Sequence, residues 1–265
     1  MSPELTAAIA AARAAGALQR RYFRRTPRVE TKPDDTPVTA ADRRSELVVR
    51  RILEAALPES GFLGEEGGAL RPDASVRWIV DPLDGTAKFI RKLPFFGPCI
   101  ALERAGELVL GVVYLPLFRE LFWAEHGSGA FLNGQPIHVS AVAALDQAYV
   151  SHGYERDFFD RGMGATLTRL AHGVRHNPGF LDLYSYVSVA CGRIDAVAML
   201  NESPWDIAAH RVIVEEAGGR LTDFDGIPTI TGTSTLATNG LLHEDLRRLI
   251  AGAGDGISPI GGDAE

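Results

Sequence analysis

The stretch WIVDPLDGTAKF, residues 78–89, places Asp81 and Asp84 three positions apart, directly after an apolar run that reads as a buried strand. Pro82 is expected to end that strand, and Gly85-Thr86 to open a helix. Two carboxylates delivered to the end of a buried strand repel each other, so either a cation lies between them or the segment is only a polar turn. Three further acidic features share the pattern. Glu65 and Glu66 sit in GEEGG after the short apolar approach SGFL, Asp206 falls in the first turn of a helix beginning PWDIAA, and Asp42 in the first turn of an earlier helix. Taken singly, each also reads as a solvated turn, an Asx-turn or a charge favoured by a helix dipole. As a set they are hard oxygen donors without histidine or cysteine at ligand spacing, which points to Mg²⁺ rather than zinc, and the alternating ligands of a calcium EF-hand are missing. Metal pairs bridged by carboxylates suit hydrolysis of a phosphate ester, and the Gly85-Thr86 amides would meet a phosphate at the same place.

The elements that must position these residues follow from periodicity. Residues 3–24 read as an amphipathic helix capped by Ser2, with Pro3 in its first turn and Leu5 and Ile9 on one face. TKPDDTP, residues 31–37, is a turn-rich loop. A second helix follows it, with Thr39 and Asp42 at capping-box spacing, and stops at Pro58. From Trp78 to about Val139, short apolar runs separated by turns predict an antiparallel sheet flanked by the opening helices; CIALER, ELVLGVVYL and ELFWAE are its clearest strands. After residue 146 strands and helices alternate: strand AYVSHG, helix 160–172, helix YSYVSVACG, strand DAVAML, helix WDIAAHRVIVEEAGG, strands RLTDFD and TLATN, and helix LLHEDLRRLI. The last residues, GDGISPIGGDAE, read as a loose tail. The expected division is an α+β lobe over residues 1–143, carrying most of the acidic set, and an α/β lobe over 144–265, carrying Asp206, with the ligand cleft between them.

Composition narrows the partners. The 265 residues suffice for a large core, and 46% hydrophobic with 23% charged residues is ordinary for a globular protein. A net charge of −7 argues against nucleic acid or an anionic membrane as partner. A phosphate ligand would then depend on local positive charge such as a bound metal. Cys99 and Cys191 lie far apart in apolar surroundings and read as small core residues. The N-terminus lacks a signal-peptide pattern and no segment is apolar enough to span a bilayer, so the cytoplasm is the expected location.

DPLDGT with its following Phe89, the upstream GEE and the downstream WDIAA…EAGG together resemble the inositol monophosphatase superfamily of Mg²⁺-dependent, lithium-sensitive phosphatases. TKPDDTPVTAAD, LPFFGPCIAL and GVVYLP are also similar to family segments, so the resemblance runs from the first helix to about residue 250. It implies a layered αβαβα sandwich, usually a homodimer, acting on a small phosphorylated metabolite with two or three Mg²⁺ ions. Position by position, Glu65, Asp81 and the Leu83 carbonyl resemble ligands of a first metal, and Asp81, Asp84 and Asp206 those of a second. Asp42, with Glu65, matches the position of a weaker third metal, and Thr86 the threonine that, with Glu65, orients and deprotonates the attacking water. The implied reaction is in-line attack of that water on phosphorus, without a phosphoenzyme.

The chain departs from the pattern where substrate would bind. Lys88 stands where most relatives carry Asn; it reads either as a solvent-facing lysine or as a cation near the phosphate or the lobe interface, with Arg91 and Lys92 close behind. Inositol-preferring relatives carry a glutamate seven residues before the WD aspartate, where this chain has Met199; histidinol-phosphatase relatives tend to carry that glutamate as well. Asp182 falls where histidinol-phosphatases have an aspartate, and either caps the helix near Tyr184 or faces an amine on the substrate. His176 and Asn177, in the loop before it, are within reach of a substrate on this reading. The leading specificity is histidinol phosphate, followed by inositol 1-phosphate and then 3′-phosphoadenosine 5′-phosphate. A metal-binding regulator that has lost turnover is the alternative from another class.

Overall fold

The computed structural model describes residues 1–26, 28–32, 36–179 and 182–252. The expected tail and the middle of the 31–37 loop lie outside the described residues.

Helix α1 (Pro3–Phe23) begins where the Leu5 amide donates to Ser2 Oγ at 3.0 Å. The short strands β1 (Val29–Thr31) and β2 (Pro37–Thr39) pair as an antiparallel ribbon. Helix α2 (Ala40–Ala56) starts with the expected capping box, in which the Thr39 amide donates to Asp42 Oδ2 at 2.8 Å. The large sheet follows, with β3 (Gly61–Gly64), β4 (Gly68–Leu70), β5 (Val76–Asp84), β6 (Gly97–Arg104), β7 (Glu107–Leu115), β8 (Glu120–Glu125), β9 (Ala130–Leu132) and β10 (Gln135–Ile137). Its order is β10-β9-β8-β7-β6-β5-β3-β4, antiparallel except for β3 beside β5. The five-residue α3 (Thr86–Ile90) leaves the end of β5. In the second half, β11 (Val150–His152), β12 (Ala196–Leu200), β13 (Arg220–Thr222) and β14 (Ser234–Thr238) form a sheet of order β11-β12-β14-β13. Around it lie α4 (Glu155–Asp160), α5 (Gly164–Gly173), α6 (Leu183–Ala190), α7 (Pro204–Glu216) and α8 (His243–Ala251).

Strand alternation sorts the side chains into the layers of an αβαβα sandwich. On the large sheet, Trp78, Val80, Ile100, Leu102 and Val112 face α1 and α2, packing on Leu5, Ala12, Val49 and Leu53. Ile79, Cys99, Ala101, Val113 and Phe122 face the other way, onto α6 and α7. Val197 and Met199 of the second sheet reach the same middle layer from its far side, while Ala196, Ala198 and Leu236 turn outward to Phe158, Leu170 and Leu246 of α4, α5 and α8. Helix α7 lies between two sheets, which is why Ile207–Val214 is almost continuously buried. Among the described residues no helix is long and apolar enough to cross a membrane.

Two local expectations are corrected. Pro82 does not end its strand. β5 continues to Asp84, and the ladder to β6 slips between Asp81, opposite Cys99, and Asp84, opposite Gly97. A bulge accommodates a residue that cannot donate to the ladder, so the strand carries both aspartates. The helix read over 160–172 is α5, which starts a turn later than expected; the short α4 before it is not among the expected elements, and the two are separated at Gly162, whose φ is +71°.

Gly85 is demanded by the turn that follows the bulge. Its φ is +85°, and a Cβ there would lie 2.4 Å from the Phe95 carbonyl oxygen. Gly85→Ala is therefore expected to destabilise the fold by roughly 1–3 kcal/mol. A fall in the urea midpoint without a change in slope checks this; an unchanged midpoint would mean the turn is not under this constraint.

Candidate active site

The parity of β5 decides where the first aspartate points. Asp81 alternates with Trp78 and Val80 and shares the face of Ile79, so it is directed at the middle layer, where α7 begins with Asp206. The Leu83 amide donates to Asp81 Oδ1 at 2.8 Å, and the Ser203 amide to Asp206 Oδ2 at 2.7 Å. Glu65 arrives from the turn after β3, where its amide donates to the Val80 carbonyl at 3.2 Å. That turn is glycine-rich because Glu46 of α2 lies under it: a Cβ on Gly64 would meet Glu46 Oε2 at 2.4 Å, and the Glu66 amide donates to the same oxygen at 2.9 Å.

Glu65, Asp81, Leu83, Asp84, Gly85, Thr86, Asp182, Met199 and Asp206 all line one cleft of about 290 Å³, together with Tyr154, Asp157, Asn201 and Glu202. Asp42 is fully buried behind it. Its Oδ2 accepts from Thr39, and its Oδ1 from the Thr86 hydroxyl at 2.6 Å; the same hydroxyl lies 3.0 Å from the Leu83 carbonyl. Asp42 therefore positions Thr86 from behind, and no bond between Thr86 and Glu65 occurs among the described contacts. Glu66 turns away to Lys32, whose Nζ lies 2.6 Å from Glu66 Oε1 and 2.7 Å from Glu65 Oε1. Burial would lower the Lys32 pKa, but these two carboxylates push it up instead.

The substrate-side expectations change. Lys88 is buried, not solvent-facing, and its ammonium pairs with Asp182 and the Tyr154 hydroxyl across the cleft edge. Burial alone would lower its pKa; Asp182 and Tyr154 turn the shift upward. Asp182 occupies the cap position of α6 with φ +56°, but its side chain makes no capping bond. It is neither the expected cap nor a free carboxylate awaiting an amine, because Lys88 already balances it. His176 stacks on Tyr149 with ring centroids 4.3 Å apart, and the Asn177 amide donates to the Val150 carbonyl at 2.6 Å; neither lines the cleft.

Two groups of functional interest were not apparent from sequence. Glu202, four residues before Asp206, lines the cleft and accepts from the Tyr186 hydroxyl. No motif surrounds it; only its placement ahead of the WD helix hinted at access to the site. On the far side of Asp84 from the cleft, Cys99 and His210 are buried in the middle layer and bring ligand-type atoms close to its carboxylate.

Charge dominates the cleft. Among the described residues its lining includes seven carboxylates (Glu65, Asp81, Asp84, Asp157, Asp182, Glu202, Asp206) and no lysine or arginine, Lys88 reaching Asp182 from the edge. Burial, then Glu65, Asp84 and Asp206, hold the Asp81 pKa well above the ordinary range; burial, then Asp182 and Asp206, do the same for Asp84. Asp206 is pushed up to about 7, chiefly by burial with the Glu65 charge adding, against the opposing Ser203 amide. Glu202 is pushed up to about 8 by burial and then the Asp206 charge. Glu65, Asp81, Asp84, Asp206 and the Leu83 carbonyl are a hard, all-oxygen donor set whose mutual repulsion a divalent cation would relieve, so the residues fit Mg²⁺.

A layered αβαβα fold thus carries a carboxylate cleft at the bulged end of an inner strand of its large sheet. The shared sequence pattern of the inositol monophosphatase family matches residues 1–254, and the chain belongs to that family. The histidinol-phosphatase of Chlorobaculum parvum is 40% identical over 258 residues, 97% of this chain and 98% of that protein. The inositol-1-monophosphatase of Rhizobium meliloti is 42% identical over 198 residues, 71% of this chain and 73% of that one. Among solved structures, the extragenic suppressor protein suhB of Bartonella henselae matches with a TM-score of 0.88 at 34% identity, covering 97% of this chain and 100% of that one.

The raised carboxylates set the pH response of the metal-free protein. Asp206, about 7 when folded against an ordinary 3.8, and Glu202, about 8 against 4.5, keep protons that the unfolded chain releases. Their contribution is fully present below about pH 4 and is lost as pH rises through the folded values, so metal-free stability should fall between about pH 4 and pH 8. Added Mg²⁺ should raise the melting temperature more at the upper end of that window than at the lower. Melts with Mg²⁺ and with a chelator check both statements; a metal-free Tm that climbs across the window would contradict them.

Proposed function

We propose that this phosphatase is Mg²⁺-dependent and hydrolyses histidinol phosphate, or a closely similar amino-alcohol phosphate, by attack of water on phosphorus. The observation that carries the substrate reading is the cleft's charge: among the described residues, seven lining carboxylates with no lining lysine or arginine favour a substrate that itself carries a cation. The relative of C. parvum, matched over nearly its whole length, is named for histidinol phosphate and supports the same reading.

Glu65, Asp81 and the Leu83 carbonyl would hold one Mg²⁺, and Asp81, Asp84 and Asp206 a second; bound there, the ions supply Lewis-acid polarisation of phosphate and water. The chain's own groups do the rest. The Thr86 hydroxyl, donating to Asp42 Oδ1, keeps its oxygen lone pairs for a hydrogen bond from the attacking water, and Asp42 offers the next acceptor along that path. The amides of Gly85, Thr86 and Ala87 open α3 beside the cleft without partners in that helix's own ladder, and suit phosphate oxygens. On the substrate side Lys88 already balances Asp182, and of the two lining carboxylates that remain, Asp157 and Glu202, we assign the substrate ammonium to Glu202, which Tyr186 steadies. Met199 offers ring hydroxyls no acceptor, which weighs against inositol.

Asp81→Asn and Asp206→Asn should each abolish turnover while leaving the metal-free melting temperature equal or higher, because each removes a charge from a repelling cluster. Phosphate release and chelator melts measure the two sides, and near wild-type activity in either variant would refute the ligand assignment.

Substrate choice is tested with histidinol phosphate, inositol 1-phosphate, 3′-phosphoadenosine 5′-phosphate and an aryl phosphate. Histidinol phosphate should give the highest kcat/KM. Glu202→Gln should lower it selectively by about tenfold to a hundredfold, the worth of a hydrogen bond to a charged group. Asp182→Asn strands Lys88 and should depress all four substrates alike. If inositol 1-phosphate is preferred, or Glu202→Gln affects every substrate equally, the specificity is wrong.

A further inference from the structure

Directly behind the proposed Mg²⁺ ligands lies a donor set of different chemistry. Cys99 is on β6, opposite Asp81 in the β5–β6 ladder and on the same face of the sheet. His210 is one turn along α7 from Asp206. Both are fully buried, and they meet between sheet and helix with Cys99 Sγ 3.5 Å from His210 Nε2 and 3.9 Å from Asp84 Oδ2. The three ligand atoms lie within 4.8 Å of one another. A tetrahedral zinc site with ordinary Zn–S, Zn–N and Zn–O bonds has ligand–ligand edges of about 3.5 Å, so the spacing suits one ion with little movement. The hydrogen-bonding capacity of the imidazole is largely unused. It stacks on Tyr186 with centroids 4.8 Å apart, its Nδ1 has no hydrogen-bond partner, and Cys99 is its only polar contact among the described residues. Burial pushes its pKa down to about 3, so the ring is neutral and offers a lone pair.

We propose that Asp84, Cys99 and His210 form a second, thiophilic metal site that takes Zn²⁺ or a similar borderline-soft divalent cation, and that occupancy there withdraws Asp84 from the phosphatase cluster and stops turnover. Asp84 is shared by the two sites and faces the cleft, so it is both the entry path and the point of competition. Coordination forms a metal–sulfur bond as the Cys99 thiol releases its proton to solvent, while His210 binds through Nε2 with its proton on Nδ1. A water from the cleft completes the four-coordinate shell. Mg²⁺ does not compete for this position, because a hard octahedral cation gains little from thiolate and imidazole. The binding claim stands apart from the proposed reaction; only the inhibitory consequence rests on Asp84 serving Mg²⁺.

The test uses the full-length protein in excess Mg²⁺, titrated with Co²⁺ as a spectroscopic stand-in for Zn²⁺. A thiolate-to-cobalt charge-transfer band should appear, persist in Cys191→Ser, vanish in Cys99→Ser and be displaced by Zn²⁺. In assays with excess Mg²⁺, Zn²⁺ should inhibit the wild type, and Cys99→Ser should keep basal activity while raising the inhibitory Zn²⁺ concentration at least about tenfold. His210→Asn provides the second variant if Cys99→Ser folds poorly. Absence of the band in the wild type, or its loss in Cys191→Ser but not Cys99→Ser, overturns the site. Equal zinc inhibition of wild type and Cys99→Ser overturns the inhibitory role. Failure of the phosphatase reading would show differently, as no turnover of any phosphate monoester with the cobalt band intact.

Discussion

Mutual repulsion among Asp81, Asp84, Asp206 and Glu65 is the constraint around which the molecule is arranged. These groups converge at the end of a central strand and the start of a buried helix, where water cannot screen them well. The protein spends backbone hydrogen bonds on holding them in place: the Leu83 amide on Asp81 and the Ser203 amide on Asp206. Its cations stay at the margins, Lys32 against Glu65 and Glu66 on one side and Lys88 against Asp182 on the other. Charge is thus tethered and left unneutralised by the chain's own cations, which suits the Mg²⁺ site proposed above.

The layered fold makes this convergence possible. The outer helices α1 and α2 cover one face of the large sheet and free the other to meet α7, so a strand-end carboxylate and a helix-start carboxylate approach across a packed interface. Because α7 is buried almost continuously over Ile207–Val214, its position is set by two sheets at once, and Asp206 at its start is placed with it. The same packing brings Cys99 and His210 together in that interface, one helical turn beyond Asp206, which no arrangement of either residue in its own element would do.

The edge of the cleft follows different rules from its floor. On the floor, carboxylates are held by backbone donors; at the edge, Lys88, Asp182 and Tyr154 tie α3 to the start of α6 and to the segment leading into α4. That tie pairs Asp182 with a cation of the chain itself, and on the function proposed above the substrate cation would fall to Glu202. Discrimination by this chain would then reside in a residue offset from the family's glutamate position, where Met199 stands.

The sequence by itself determined the acidic motifs, the caps at Ser2 and Thr39, the longer helices and strands and the family, because each rests on local spacing that the backbone reads directly: two residues for a strand, three or four for a helix turn. The three-residue strands β1, β2, β4, β9 and β10 and the short α4 carry too few residues to show such a period. Pro82 misled, since a missing amide argues against a strand in isolation whereas a bulge in the ladder to β6 absorbs it. Only the tertiary structure decided the partners of Lys88 and Asp182, which are 94 positions apart, the use of Asp42 behind Thr86, the access of Glu202 and the meeting of Cys99 with His210. Such pairings depend on which faces of distant elements are pressed together, and that is settled by the packing of whole layers rather than by any pattern along the chain.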